Sequence, residues 1–177
     1  MTWRGVTSRG ALIAIVTTAS CGACSRGASV GSPAVQRPVA TPPSATVMTL
    51  ERKPCYGTCP VYLVSVIGDG SVVFEGRAHV DSARRLTSRI SPDQVAALIR
   101  LFDDNQFYTL ADKYVRGAAS CPDHASDAPT VITSITTKDR AKRIDHDLGC
   151  ANVPKQLAEV ERRFDEIVGT SRWIGRH

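Results

Sequence analysis

The fold is decided by the stretch VYLVSVIGDGSVVFEGR at residues 61–77. Residues 61–68 and 71–77 are rich in β-branched side chains, which favour strands. Between them stands Asp69-Gly70, a dipeptide that suits a type I′ turn because both central positions of that turn need positive φ. The stretch therefore predicts a β-hairpin, and the apolar residues on both faces of its strands place it in the middle of a sheet.

The segments around this hairpin predict a further strand, an exposed segment and a helix. Residues 46–52, TVMTLER, have the composition of a strand, whereas residues 77–89 are polar and basic, as in an exposed strand or loop. A helix is predicted to begin at SPDQ, where Ser91 suits the N-cap and Pro92 the first helical position. Its apolar side chains recur at helical spacing and form one stripe: Val95, Leu98, Ile99 and Phe102.

A second hairpin and a second helix complete the pattern. Residues 130–137 and 141–148 have the composition of two strands. A helix is predicted to begin near Pro154, and Gly169 suits the position just after its last residue. Strands and helices do not alternate one by one, so the predicted class is α+β. We expect the order β-β-β-(β)-α-β-β-α, an antiparallel sheet of about five to six strands with two helices on one face.

Residues 1–20 have the features of an export signal. Arg4 and Arg9 give a positive beginning, and residues 11–20 form a short apolar run that ends in small side chains. The run has about ten residues, whereas roughly twenty are needed to span a bilayer. The mature chain is therefore expected outside the cytoplasm.

The segment TASC at residues 18–21 resembles the cleavage box of bacterial lipoproteins, in which the cysteine becomes the acylated N-terminus. We therefore predict lipidation of Cys21 and a membrane anchor. Simple secretion after cleavage behind Ala19 is the alternative, because Thr18 occupies a position where Leu is usual. Gly22, rather than Asp, follows the cysteine, which by analogy with bacterial lipoproteins favours the outer membrane. A periplasmic or secreted protein is the alternative location.

The next segment, residues 21–45, is rich in Ser, Ala and Pro and has almost no large apolar side chain. Such a segment cannot bury enough surface to offset its ordering entropy, so we predict a flexible tether. Residues 46–177 are then a single globular domain. The net charge of +5 falls to +3 without Arg4 and Arg9, which is too little to predict a nucleic-acid partner.

Four stretches in the predicted domain together resemble a known family: CYGTCPVY, VIGDGSVVFEG, SDAPTVITSI and VGTSRWI. They are similar, over about residues 48–174, to an uncharacterised bacterial envelope family, domain of unknown function 6438. The resemblance implies lipoprotein or secretion signals and no assigned activity. It marks seven positions of this sequence as family motif residues: Cys55, Gly57, Cys59, Pro60, Tyr62, Asp127 and Trp173. Cys121 and Cys150 are not part of that pattern.

The first cysteine pair is Cys55 and Cys59. Export favours disulfides, and two cysteines four residues apart can meet across a tight turn. Gly57 would supply the unusual backbone angle of that turn, and Pro60, which lacks an N–H, suits the first residue of a strand. A disulfide is therefore the favoured interpretation. A catalytic dithiol and a metal site are the alternatives.

The second pair, Cys121 and Cys150, flanks the second hairpin. A disulfide is again favoured, and free thiols are one alternative. The other is zinc, because with His124 and His146 the spacing becomes Cys-x2-His…His-x3-Cys, which suits a tetrahedral site.

The sequence contains no Walker loop, no Gly-x-Gly-x-x-Gly and no paired catalytic carboxylates. We therefore expect a non-enzymatic binding or structural module of the envelope without a cofactor, whose partner is an envelope protein or a polysaccharide. The alternative is a thiol-redox or zinc-binding envelope protein that uses one of the two cysteine groups.

Overall fold

In the computed structural model, which describes residues 45–175, seven strands form one mixed sheet. The predicted signal peptide, the predicted tether up to residue 44 and Cys21 lie outside the described residues. The strands are β1 (Val47–Arg52), β2 (Val61–Ile67), β3 (Ser71–Ala78), β4 (Arg85–Arg89), β5 (Lys113–Tyr114), β6 (Thr130–Thr136) and β7 (Ala141–Asp147). Their order across the sheet is β4-β3-β2-β1-β6-β7-β5.

The helices are α1 (Pro92–Asp104), α2 (Lys155–Val168) and the short α3 (Ser171–Ile174), with a 3-10 turn at Phe107–Thr109. Helix α1 begins where the sequence predicts it. The Ser91 side chain accepts a hydrogen bond from the Gln94 backbone, and the Gln94 side chain accepts one from the Ser91 backbone. Helix α2 ends at Gly169, whose φ of 71° is left-handed.

The helices cover one face of the sheet. Alternate residues of each strand point to that face, and the row Ile144, Thr133, Leu50, Val64 and Phe74 runs fully buried across five neighbouring strands. Aromatic rings of all three helices join the core over this row. The ring centroid of Trp173 on α3 lies 4.9 Å from that of Phe74. The ring centroids of Phe102 on α1 and Phe164 on α2 are 6.3 Å apart. The opposite face carries half-buried and charged side chains.

The α+β class is confirmed, but the predicted strand count, order and sheet type are wrong in detail. The sheet has seven strands rather than five to six, and it is mixed because β5 pairs parallel with β7. Strand β5 has only two residues, so it has no alternating pattern that a sequence could display. The segment expected as a strand or loop at residues 77–89 contains strand β4.

The predicted hairpin is present with a different turn. A backbone bond of 2.9 Å from Gly70 N to Ile67 O closes it, and Gly70 has a φ of 86°, but Asp69 does not have positive φ. The turn is therefore not type I′. A Cβ on Gly70 would lie 2.5 Å from the Ile90 carbonyl oxygen, so the position requires glycine for space as well as for backbone angle.

Candidate functional site

The motif loop, which we define as Cys55–Cys59, lies between β1 and β2. Its two cysteines are at disulfide distance, with S–S 1.98 Å and Cα–Cα 5.8 Å. Gly57 has a φ of 153°, a backbone angle that other residues rarely adopt. The Tyr56 N–H donates to the Asp127 carbonyl over 3.3 Å, so two family motif segments meet at this loop.

Beyond the loop, Tyr62 points to the helix-covered face and joins a polar network at the end of α2. Its hydroxyl donates to Asp165 Oδ1 over 2.8 Å and accepts from Arg52 Nε over 2.9 Å. The Arg52 guanidinium also donates to Asp165 Oδ2, over 2.7 Å from Nη2 and 3.1 Å from Nε. Thr170 Oγ1 donates to Asp165 Oδ1 over 2.7 Å. One carboxylate therefore ties together β1, β2 and the segment after α2.

The pKa values of both Tyr62 and Arg52 are raised in this network. Burial raises the pKa of Tyr62, and the neighbouring Asp165 carboxylate raises it further, so the hydroxyl stays protonated. Burial alone would lower the pKa of Arg52, but the charge of Asp165 and the Tyr62 hydroxyl outweigh it and raise the pKa above its usual range. The arrangement is a fixed charge pair with a neutral phenol, which suits a rigid floor rather than a proton-transfer site.

A cavity of about 430 Å³ opens above this network. Arg52 and Asp165 lie at it, and its walls combine the apolar Pro60 and Ile174 with the polar Ser171. The volume falls in the range of roughly 300–1,000 Å³ that small-ligand pockets occupy. The walls come from two stretches that resemble the family, the motif CYGTCPVY and the C-terminal VGTSRWI. We call this cavity the motif pocket.

Sequence reasoning missed Arg52, Asp165 and Thr170. Arg52 and Asp165 are separated by 113 residues, and each looks like an ordinary surface charge in the sequence. A signal did exist, because Arg52 shares the strand face of Met48 and Leu50, which are both fully buried. A charge on the buried face of a strand indicates a partner within the core.

In the second cysteine group, the two cysteines bond each other, whereas His124 and His146 contact different carboxylates. Cys121 and Cys150 are at disulfide distance, with S–S 2.01 Å and Cα–Cα 5.3 Å. His124 Nε2 lies 2.8 Å from an Asp147 carboxylate oxygen. His146 is instead 5% exposed and bonds Glu161 of α2 through Nδ1 over 2.8 Å.

The four residues of the predicted zinc alternative are thus not gathered around one point. Both sulfurs are engaged in the disulfide, and each imidazole contacts its own carboxylate. Among the described residues, no group of three or more His, Cys, Asp and Glu side chains is placed to hold a metal ion.

Trp173, which the sequence resemblance marks as a motif position, packs back onto the sheet. Its ring contacts Phe74, and the Arg172 guanidinium lies 4.1 Å from the centroid of the same ring. Its carbonyl accepts a 3.1 Å bond from Ser82 N. Trp173 therefore fixes α3, which carries one wall of the motif pocket.

Comparison with known families agrees with the resemblance. The family model described as Domain of unknown function (DUF6438) matches residues 46–168, so the chain belongs to this family. The match contains the motif loop, Tyr62 and Asp165, and it ends before Thr170 and Trp173. No curated protein matches the chain. Within residues 45–175, none of the helices has the length and apolar character needed to span a lipid bilayer.

Proposed function

We propose that this protein is a non-enzymatic binding module of the bacterial cell envelope and that the motif pocket is its ligand site. The observation that carries the proposal is the convergence of the family motif and the C-terminal segment on one cavity with a rigid polar floor. A preorganised floor favours binding, since little side-chain freedom is lost when a ligand arrives.

The walls indicate the kind of ligand. Pro60 and Ile174 offer apolar surface, and Arg52, whose side chain keeps 25% of its surface exposed, offers N–H donors at the floor. Glu166 on the rim is already paired with Arg162 and Arg163. The pocket therefore suits an apolar group that carries a hydrogen-bond acceptor, presented by an envelope protein or a polysaccharide.

NMR titration of the ¹⁵N-labelled protein with defined muropeptides and core oligosaccharides tests this proposal. We expect shifts at the amides of Thr170, Ser171 and Gly175. Ser171 is exposed at the start of α3, so Ser171→Trp should fill the pocket without disturbing the core and abolish the shifts. Ala158→Trp, at an exposed site on α2 outside the pocket, is the matched control. Shifts that persist in Ser171→Trp would refute the assignment.

The location is part of the same proposal. Lipidation of Cys21 would hold the domain at the outer membrane through residues 21–45, and cleavage behind Ala19 would instead release it. Mass spectrometry of the protein purified from membranes should show an acylated Cys21 as the first residue. A mature chain that begins at Ser20 would refute lipidation.

A thiol-redox function is the second candidate, because the motif loop is exposed. Its tip residue Tyr56 is 90% exposed, and Gly57 and Thr58 are exposed beside it. Equilibration with glutathione buffers, followed by alkylation, would measure the potential of the Cys55–Cys59 pair. A value below about −300 mV is typical of structural disulfides and would remove this candidate.

A further inference from the structure

A second cavity, of about 500 Å³, lies on the other side of the motif loop. We call it the basic cavity. It shares no lining residue with the motif pocket, because neighbours in an extended chain point to opposite sides: Arg52 and Tyr62 line one cavity, Lys53 and Val61 the other. Its apolar lining is made of Pro54, Val61, Ala78 and the Cys55–Cys59 disulfide.

The polar lining of the basic cavity is cationic. Lys53, Arg77 and His79 contribute to it. The nearby Glu51 carboxylate lies 2.5 Å from Arg77 Nη1 and 3.5 Å from Lys53 Nζ. Two permanent cations thus share one carboxylate, which leaves the cavity with an excess of positive charge even when His79 is neutral.

The two cations retain donors for a ligand. Arg77 has five N–H donors, and its contact with Glu51 uses Nη1. The Arg77 and Lys53 side chains are 44% and 43% exposed, so a ligand can reach both. A guanidinium binds a carboxylate through two parallel bonds, and the ammonium adds a point charge beside it.

The motif loop forms one wall of this cavity. The disulfide and two prolines, Pro54 and Pro60, restrict the loop, and Lys53 N donates to the Thr130 carbonyl over 2.8 Å. A restricted loop keeps Pro54 and the disulfide in place as cavity lining, so little backbone freedom is lost when a ligand binds.

We infer that the basic cavity binds an acidic saccharide, with the sugar carboxylate on Arg77 and Lys53 and the ring against the apolar lining made by Pro54, Val61 and Ala78. A peptide strand would need an unpaired sheet edge for main-chain bonds. Here the loop joins β1 and β2, and both strands, like β3, already have a partner on each side. A sugar ring needs no such edge, because it can use the apolar walls and its own hydroxyl groups.

Calorimetric titration of the full-length protein with trigalacturonate tests the inference. Neutral galactotriose and end-blocked triglutamate serve as comparison ligands of equal size or equal charge. We expect saturable binding of trigalacturonate, weakened by added salt, and no binding of the other two. Equal binding of galactotriose would overturn the role of the cations. Equal binding of triglutamate would overturn the saccharide, and absence of all binding would overturn the site.

Variants locate the binding on the protein. Arg77→Gln should lower the affinity about tenfold or more, as expected for loss of a charge-assisted pair. Lys53→Gln, which leaves the Arg77–Glu51 contact in place, should also weaken it and decides the matter if Arg77→Gln unfolds. Arg85→Gln is the matched control, since Arg85 pairs with Glu75 outside the cavity. An equal effect of the Arg85 and Arg77 variants would overturn the inference.

The inference stands apart from the function proposed for the motif pocket. Ser171→Trp, which fills that pocket, should leave the affinity for trigalacturonate unchanged. Loss of trigalacturonate binding in this variant would overturn the assignment to the basic cavity. Failure of both the muropeptides and the core oligosaccharides to shift the Thr170 and Ser171 amides would instead refute only the motif pocket.

Discussion

Removal of the Asp165 carboxylate should be among the most damaging single changes to this domain. Asp165→Ala deletes the acceptor of four side-chain hydrogen bonds, two from Arg52 and one each from Tyr62 and Thr170. Breaking a fully buried charge pair costs about 3–5 kcal/mol. The Arg52 and Asp165 side chains are 25% and 18% exposed, so solvent reduces the expected loss to about 2–4 kcal/mol.

Urea unfolding followed by circular dichroism measures this loss. With a slope of about 1–3 kcal/mol per molar urea, the midpoint should fall by roughly 1–2 M. The exposed Asp104→Ala on α1 is the control and should stay within about 0.5 kcal/mol of wild type.

A double-mutant cycle with Arg52→Met separates the pair from its surroundings. Because each single change leaves a charge without its partner, the two losses should be less than additive by at least about 1 kcal/mol. If Asp165→Ala lowers the free energy of unfolding by less than about 1 kcal/mol and the cycle is additive, the claim that Arg52 and Asp165 form a stabilising pair at the pocket floor is refuted.

Three further predictions concern the disulfides, the acid limit and the phenol. Replacing Cys121 and Cys150 by Ser should lower the free energy of unfolding, measured in urea, by about 3–4 kcal/mol, against about 2 kcal/mol for the motif loop cysteines. The reason is the sequence separation, which is 29 for the first pair and 4 for the second. Equal losses would contradict the loop-entropy argument. Burial raises the pKa of Glu51, but Arg77 and Lys53 lower it more, so the folded value lies below the ordinary 4.5. Its stabilisation is therefore present above about pH 4.5 and lost as the pH falls through the folded value, and Glu51→Gln should flatten the decline of the unfolding midpoint in acid. Tyr62→Phe should cost about 1–2 kcal/mol, since its hydroxyl both donates and accepts within the network, and an unchanged midpoint would contradict this.

Local signals in the sequence were enough to predict most of the fold. The capping box at Ser91 and the glycine at the end of α2 act within a few residues, so they are visible without tertiary information. The turn at Asp69-Gly70 shows the limit. The dipeptide marks the hairpin, but the close approach of the Ile90 carbonyl to Gly70 comes from the connection after β4, which the dipeptide alone does not reveal.

The candidate site was only partly predictable for the same reason. The motif loop is local, and the predicted export together with the four-residue spacing is enough to favour its disulfide over a dithiol or a metal site. The motif pocket depends on Arg52 meeting Asp165, and such a contact is set by the packing of α2 on the sheet. His146, a ligand in the zinc alternative, is buried against Glu161, a contact that likewise depends on the packing of α2 on the sheet.

The motif Cys-x-Gly-Thr-Cys-Pro-x-Tyr is best understood as a structural device that serves two cavities at once. The disulfide fixes where β2 begins, and from that point successive residues point to opposite sides of the sheet. Pro60 and Tyr62 therefore line the motif pocket, while Cys59 and Val61 line the basic cavity. The tight loop and the alternation of residues 59–62 together place lining residues in both cavities, which is a physical reason for the stretch to carry specific residues beyond its two cysteines.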